Sequence, residues 1–152
     1  MQSRREMMKR SAAVAALLAG AGLLPARAQS AWSRAAFEGK SIDAVIKGLG
    51  IARPVESADV VLTAPDIAEN GAVVPIAASA ALPGVKSMAF LVEKNPTTLA
   101  GVFDFSDAVE PSVGTRIKMA QTSNVLAVAI LNDGKVLYAQ KEVKVTIGGC
   151  GG

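Results

Sequence analysis

The richest chemistry in this 152-residue chain sits on its only cysteine, Cys150, in the run Gly148-Gly149-Cys150-Gly151-Gly152. With four glycines around one thiol, no neighbouring Cβ restricts the backbone and no bulky side chain blocks the sulfur. Fully stretched, five residues reach about 16–18 Å. Such a segment can carry a thiol into a narrow pocket on another protein. That geometry suits a covalent carrier and is poor for an enzyme, whose nucleophile is held still. Only the thiolate is nucleophilic, and a free cysteine titrates near about 8.5. The segment holds no His, Lys or Arg to help it, so activation is expected to come from a partner's pocket.

Other roles for the segment compete with this one. The cysteine can be incidental in an unstructured end, or can form an intermolecular disulfide in an oxidising compartment. The terminal Gly151-Gly152 can itself be the carrier, as in ubiquitin-like sulfur carriers, but that chemistry needs ATP-driven adenylation. Prenylation is excluded by count, because Cys150 stands third from the end and prenylation needs the fourth position.

Histidine is absent. This removes Ser-His-Asp and Cys-His activation and imidazole metal ligation, including the two-His, one-Cys copper site. One cysteine also forbids an intramolecular disulfide and a thiolate zinc cluster. Asp104, Asp107 and Glu110 are close in sequence, yet read as a solvated strand end and turn rather than paired catalytic carboxylates. Met88 and Met119 read as core filler rather than soft metal ligands, and Trp32 as a lone packing aromatic. The glycines of the tail are no phosphate loop, since no helix and no Lys-Ser/Thr pair follows.

The elements that must position Cys150 begin after a leader. Ser3-Arg4-Arg5-Glu6-Met7-Met8-Lys9 resembles a twin-arginine export signature. Residues 11–24 form an apolar stretch too short to span a bilayer, which needs about 20 residues. Ala26-Arg27-Ala28 then offers an A-x-A cleavage site, so residues 1–28 read as a signal peptide removed after Ala28, leaving a periplasmic chain that starts at Gln29. The basic balance belongs to this leader. Without its Arg4, Arg5, Lys9, Arg10, Arg27 and Glu6, the 16 basic and 13 acidic residues fall to 11 and 12. A nucleic-acid partner needs a clustered positive face and is not expected; nor is a membrane span.

Residues 29–57 read as an N-terminal helical segment. Ser41 caps a short turn over Asp43-Ala44-Val45-Ile46, and Gly48 and Gly50 end it. Residues 58–147 read as strands at 58–63, 72–79, 87–94, 99–106, 114–121, 124–131 and 135–147. Asn70-Gly71 and Asp133-Gly134 read as hairpin-type turns, with breakers at Pro83-Gly84 and Asn95-Pro96. Ile117 and Met119 alternate with Arg116, Lys118 and Gln121, which marks one wet face. Residues 125–131 are apolar throughout and read as a central strand. About seven short strands in roughly 100 residues fit an all-β, immunoglobulin-like antiparallel β-sandwich, followed at 148–152 by a flexible carrier arm. The chain is 51% hydrophobic but only 4% aromatic. Strands without a polar face suggest that a second small β-protein covers them.

The twin-arginine leader, the segment 116–125 (Arg-Ile-Lys-Met-Ala-Gln-Thr-Ser-Asn-Val), residues 65–71 and the terminus 143–152 (Val-Lys-Val-Thr-Ile-Gly-Gly-Cys-Gly-Gly) together resemble the SoxY family. Its members are the sulfur-carrier subunits of the bacterial thiosulfate-oxidising (Sox) system. The resemblance implies an immunoglobulin-like sandwich paired with a cysteine-free sandwich subunit, SoxZ, and sulfur intermediates held on Cys150. It implies a c-type haem complex (SoxAX) that joins thiosulfate to the thiol and a manganese-dependent hydrolase (SoxB) that releases sulfate. A sulfane dehydrogenase (SoxCD), where present, would oxidise the remaining sulfur. On this view the chain is no enzyme and binds no cofactor; haem c, manganese and molybdenum belong to the partners. The alternatives are a thiol sulfurtransferase with Cys150 as nucleophile, or a disulfide-linked structural subunit.

Overall fold

The structure, a computed structural model, describes residues 33–147. Two short helices come first, α1 (Arg34–Phe37) and α2 (Ile42–Leu49). Each begins on a serine whose hydroxyl accepts a backbone N–H three residues on: Ser33 from Ala36 at 3.2 Å and Ser41 from Ala44 at 3.2 Å. Asp43 adds a negative charge to the first turn of α2, where the helix dipole favours it. Gly50 closes α2 in the left-handed conformation, at φ 66°.

Gly48 does not end the helix as its type suggests, but lies inside it. A Cβ on Gly48 would stand 2.5 Å from the backbone nitrogen of Ala36 and 2.6 Å from its Cα. The residue is glycine because α1 crosses α2 at that point. The Ser33 hydroxyl also donates to the Gly48 carbonyl there.

Nine strands follow among the described residues: β1 (Val55–Glu56), β2 (Val60–Thr63), β3 (Ile67–Ala68), β4 (Val74–Ala80), β5 (Val85–Val92), β6 (Leu99–Asp104), β7 (Ser112–Ile117), β8 (Ser123–Leu131) and β9 (Val136–Val145). They form a larger sheet in the order β1-β9-β8-β5-β6, with β3 also on β9, and a smaller sheet in the order β2-β4-β7. The pairings are antiparallel except for β1 and β3, which run parallel to β9. The expected all-β, immunoglobulin-like sandwich is therefore present. The seven expected strands are all there with shifted ends, and the sheet starts at Val55, ahead of residue 58.

Alternation decides what each strand buries. In β4, Val74, Ile76, Ala78 and Ala80 point inward and Pro75 is exposed. From the larger sheet, Met88, Phe90, Val92, Val125, Ala127, Ala129 and Val143 meet them in one core. Phe90 packs edge-on against Phe103, their centroids 5.9 Å apart. Burying side chains of this size contributes roughly 1.5–3 kcal/mol each. The intervening residues Ala89, Leu91, Leu126 and Val128 face the other way, against Ala36 of α1 and Val45 of α2. Residues 88–92 of β5 and 125–131 of β8 form unbroken apolar runs because both faces of these strands are covered. That cover comes from the chain's own helices, so the apolar strands do not call for a partner.

The turns divide similarly. Asp133-Gly134 closes the β8–β9 hairpin, with Gly134 at φ 86°. Asn70-Gly71 closes none. It carries the chain from β3, on the larger sheet, to β4 in the smaller one.

Candidate functional site

The strand that leads to Cys150 is paired on both of its edges. Residues Val136–Val143 of β9 pair with β8, and β1 and β3 pair with its other edge. Lys141 clamps the segment before β3, its Nζ donating to the Ala64 carbonyl at 2.6 Å and pairing with Asp66 at 2.9 Å. The Lys141 ammonium, hydrogen-bonded and adjacent, holds the Asp66 carboxyl below its ordinary range, with Lys144 adding a smaller pull.

At the last residue of β9 and just past it the main chain remains held. Val145 N donates to the Thr122 hydroxyl at 3.0 Å. Thr146 N donates to the Ala68 carbonyl at 3.1 Å, and its hydroxyl to the Glu69 carbonyl at 2.9 Å. Gly71 N then donates to the Ile147 carbonyl at 2.7 Å, while the Gly71 carbonyl accepts from Met119 N at 2.7 Å. The Asn70-Gly71 turn thus joins the last described residue to the loop after β7. The side chains of Ile67, Val73 and Ile147 are exposed along these segments.

Beside this root lies a groove of about 410 Å³ between the β5–β6 turn and the end of β7. Asn95, Thr97, Arg116 and Lys118 supply its polar wall, and Leu99 and Ile117 line it too. Asn95 fixes that wall: its Nδ2 donates to the Lys118 carbonyl at 2.7 Å and its Oδ1 accepts from Ala120 N at 2.9 Å. The sequence carries no warning of this groove, because it joins residues about twenty positions apart that signal only a turn and a wet strand face.

Cys150 and its glycines Gly148, Gly149, Gly151 and Gly152 lie outside the described residues, as do Arg4, Arg5, Ala28 and Trp32. Asp104, Asp107 and Glu110 are exposed around the end of β6 and the loop after it, as expected of solvated carboxylates. Met88 and Met119 are fully buried core residues. Among the described residues no group of His, Cys, Asp and Glu is placed to hold a metal ion. No described helix is long and apolar enough to cross a membrane.

A family model described as sulfur oxidation protein SoxY matches residues 47–150, a stretch that closes on Cys150. The chain belongs to the SoxY family. Among solved structures, it is similar to the sulfur carrier protein SoxY from Chlorobium limicola f thiosulfatophilum, at 35% identity and a TM-score of 0.61. That match covers 69% of this chain and 94% of the other. A superoxide reductase (neelaredoxin) variant from Ignicoccus hospitalis shares 18% identity over 57% of this SoxY-family chain and 78% of its own, with a TM-score of 0.51. A putative superoxide reductase from Thermotoga maritima shares 14% identity over 60% and 93%, with a TM-score of 0.53. These last two share the fold alone. No curated protein matches the chain.

Proposed function

We propose that this SoxY-family chain is a periplasmic covalent sulfur carrier of the thiosulfate-oxidising system, not an enzyme, with Cys150 as the attachment point. The observation that carries the reading is the position of the thiol. The main chain is hydrogen-bonded through Ile147, and the next residues are Gly-Gly-Cys-Gly-Gly. A held strand followed at once by glycines, which carry no Cβ, suits a thiol that must be presented to several partners.

In the proposed cycle the Cys150 thiolate and thiosulfate join as Cys–S–S–SO3⁻, giving up two electrons to a haem-bearing SoxAX-type partner. Water then cleaves the terminal group as sulfate in a manganese-dependent SoxB-type partner, releasing two protons and leaving a persulfide on Cys150. A molybdenum-bearing SoxCD-type partner, where present, oxidises the persulfide sulfur. A SoxZ-like sandwich accompanies the chain as a heterodimer. Family membership supports these partners; the apolar strands no longer do. The chain itself contributes the thiol, its reach and the surface around it.

The test is Cys150→Ser. The variant should fold as the wild type does, since serine differs from cysteine by one atom and substitutions away from a packed core usually change stability by less than about 0.5 kcal/mol. It should accept no sulfur group from thiosulfate and the haem partner, read by intact mass. Replacing both Gly149 and Gly151 with valine should slow loading and unloading while keeping the thiol, because β-branched neighbours stiffen the backbone. Loading of the serine variant, or steady turnover by the isolated wild-type chain, would overturn the carrier reading.

A further inference from the structure

We propose that the groove lined by Asn95, Thr97, Arg116 and Lys118 receives the anionic end of the sulfur adduct on Cys150, so that the loaded arm folds back onto its own domain. The proposal rests on the carrier reading above and adds a docking place to it.

Three observations meet at this groove. The first is reach. Through Gly71, the Ile147 carbonyl and the Met119 amide lie within about 9 Å of each other. Cys150 is three residues beyond Ile147, a contour of about 10–11 Å before the side chain and its adduct are added. The loop that carries Lys118 is therefore within range of the thiol. The second is charge. Arg116 and Lys118 are exposed, and among the described residues neither side chain makes an ion pair or a hydrogen bond. Glu93, just before the β5–β6 turn, accepts a hydrogen bond from Asn124 Nδ2 at 3.0 Å. The third is form. Asn95 holds the Lys118–Ala120 backbone in place from both ends of its amide, so the wall exists before any anion arrives.

A terminal sulfonate presents three acceptor oxygens and one negative charge, which a guanidinium, an ammonium and a hydroxyl can meet together. Each exposed ion pair shifts an equilibrium by only about 1.5- to 5-fold, so a free oxyanion binds such a groove weakly. Tethering changes this, because a short glycine link supplies an effective concentration on the order of millimolar. The bare thiol lacks the charge and does not dock. Loaded and unloaded carrier then present different surfaces to a partner.

The test follows the backbone amides of Thr97, Arg116 and Lys118 by NMR in the purified protein. Tetrathionate loads Cys150 by thiolate attack on its central S–S bond, forming Cys–S–S–SO3⁻ and releasing thiosulfate. Methyl methanethiosulfonate instead forms the neutral Cys–S–S–CH3 and releases methanesulfinate. The anionic adduct should move the three amides, and the neutral adduct should not. Salt near 1 M should reverse the shifts, since the screening length falls to about 3 Å. Replacing Arg116 and Lys118 together with glutamine should reduce them about threefold or more. Loading confirmed by mass without movement of these amides, or equal movement with both adducts, overturns the docking proposal and leaves the carrier reading standing. Failure of Cys150 to load overturns both. Full shifts in Cys150→Ser with millimolar thiosulfate would assign the groove to a free anion and overturn the tethered form.

Discussion

The two sheets of this sandwich are built from similar strands but live in different surroundings. The larger sheet is covered twice, by the smaller sheet on one face and by α1 and α2 on the other. The smaller sheet is covered once. Its outer face carries Val61 beside Ser79 and Ser112, Thr63 beside Ala77 and Gly114, and Pro75 beside Arg116. The difference shows as run against alternation: residues 88–92 of β5 and 125–129 of β8 are apolar and buried without a break, while burial alternates along β4 and β7. An unbroken apolar strand says that both faces are covered. It does not say by what, and here a helical segment of this chain does the covering.

The largest effects should come from the doubly covered sheet. Phe90→Ala, on the inter-sheet face, should cost about 3–5 kcal/mol, and Leu91→Ala, on the helix face, about 2–5 kcal/mol. Both are read by denaturant unfolding. If Leu91→Ala costs less than about 1 kcal/mol, the helices are a loose cover and the comparison fails. A sharper version is Gly48→Ala. In an ordinary helix this change gains up to about 1 kcal/mol. Here the added carbon meets the Ala36 backbone, and the protein should lose about 1–3 kcal/mol instead. The singly covered sheet should be forgiving. Val61→Thr on its outer face should stay within about 0.5 kcal/mol in the same unfolding assay.

The smallest expected effect is local and pH-dependent. Lys141 lowers the Asp66 carboxyl below its unfolded value. A depressed carboxylate stabilises the fold above the unfolded pKa, and that contribution disappears as pH falls through the lower folded value. Acidification below the normal aspartate range should therefore loosen the segment that Lys141 clamps, read as faster amide exchange at Lys144, whose N–H donates to the Asp66 carbonyl. Lys141→Met should give that faster exchange already at neutral pH. Unchanged exchange in both cases would mean that the clamp does not hold the segment.

Much of this architecture was legible because alternation and turn residues are local signals. Asp133-Gly134 marks its hairpin, and the Ile117/Met119 alternation marks its wet face. What escaped was non-local. Asn70-Gly71 announces a turn, but its composition cannot say that the next strand joins the other sheet. Gly48 looks like a helix stop because the crossing of Ala36 above it is invisible in one dimension. β1 and β3 have two residues each, too few to show a period. The candidate site divides the same way. Cys150 stands out by type and by its neighbours, whereas the groove beside its root exists only once the β5–β6 turn and the end of β7 are brought together.

The double bonding of β9 has a mechanical consequence. On the carrier role proposed above, a pull on the chain beyond β9 along the axis of that strand would meet β8 on one edge and β1 and β3 on the other. The ladder hydrogen bonds stand across that pull, so the load falls on many of them at once, as shear, instead of opening them one after another. With Cys150 as the proposed handle, the anchor would lie in the direction in which a sheet yields least, and a tug that freed the cargo need not unravel the domain.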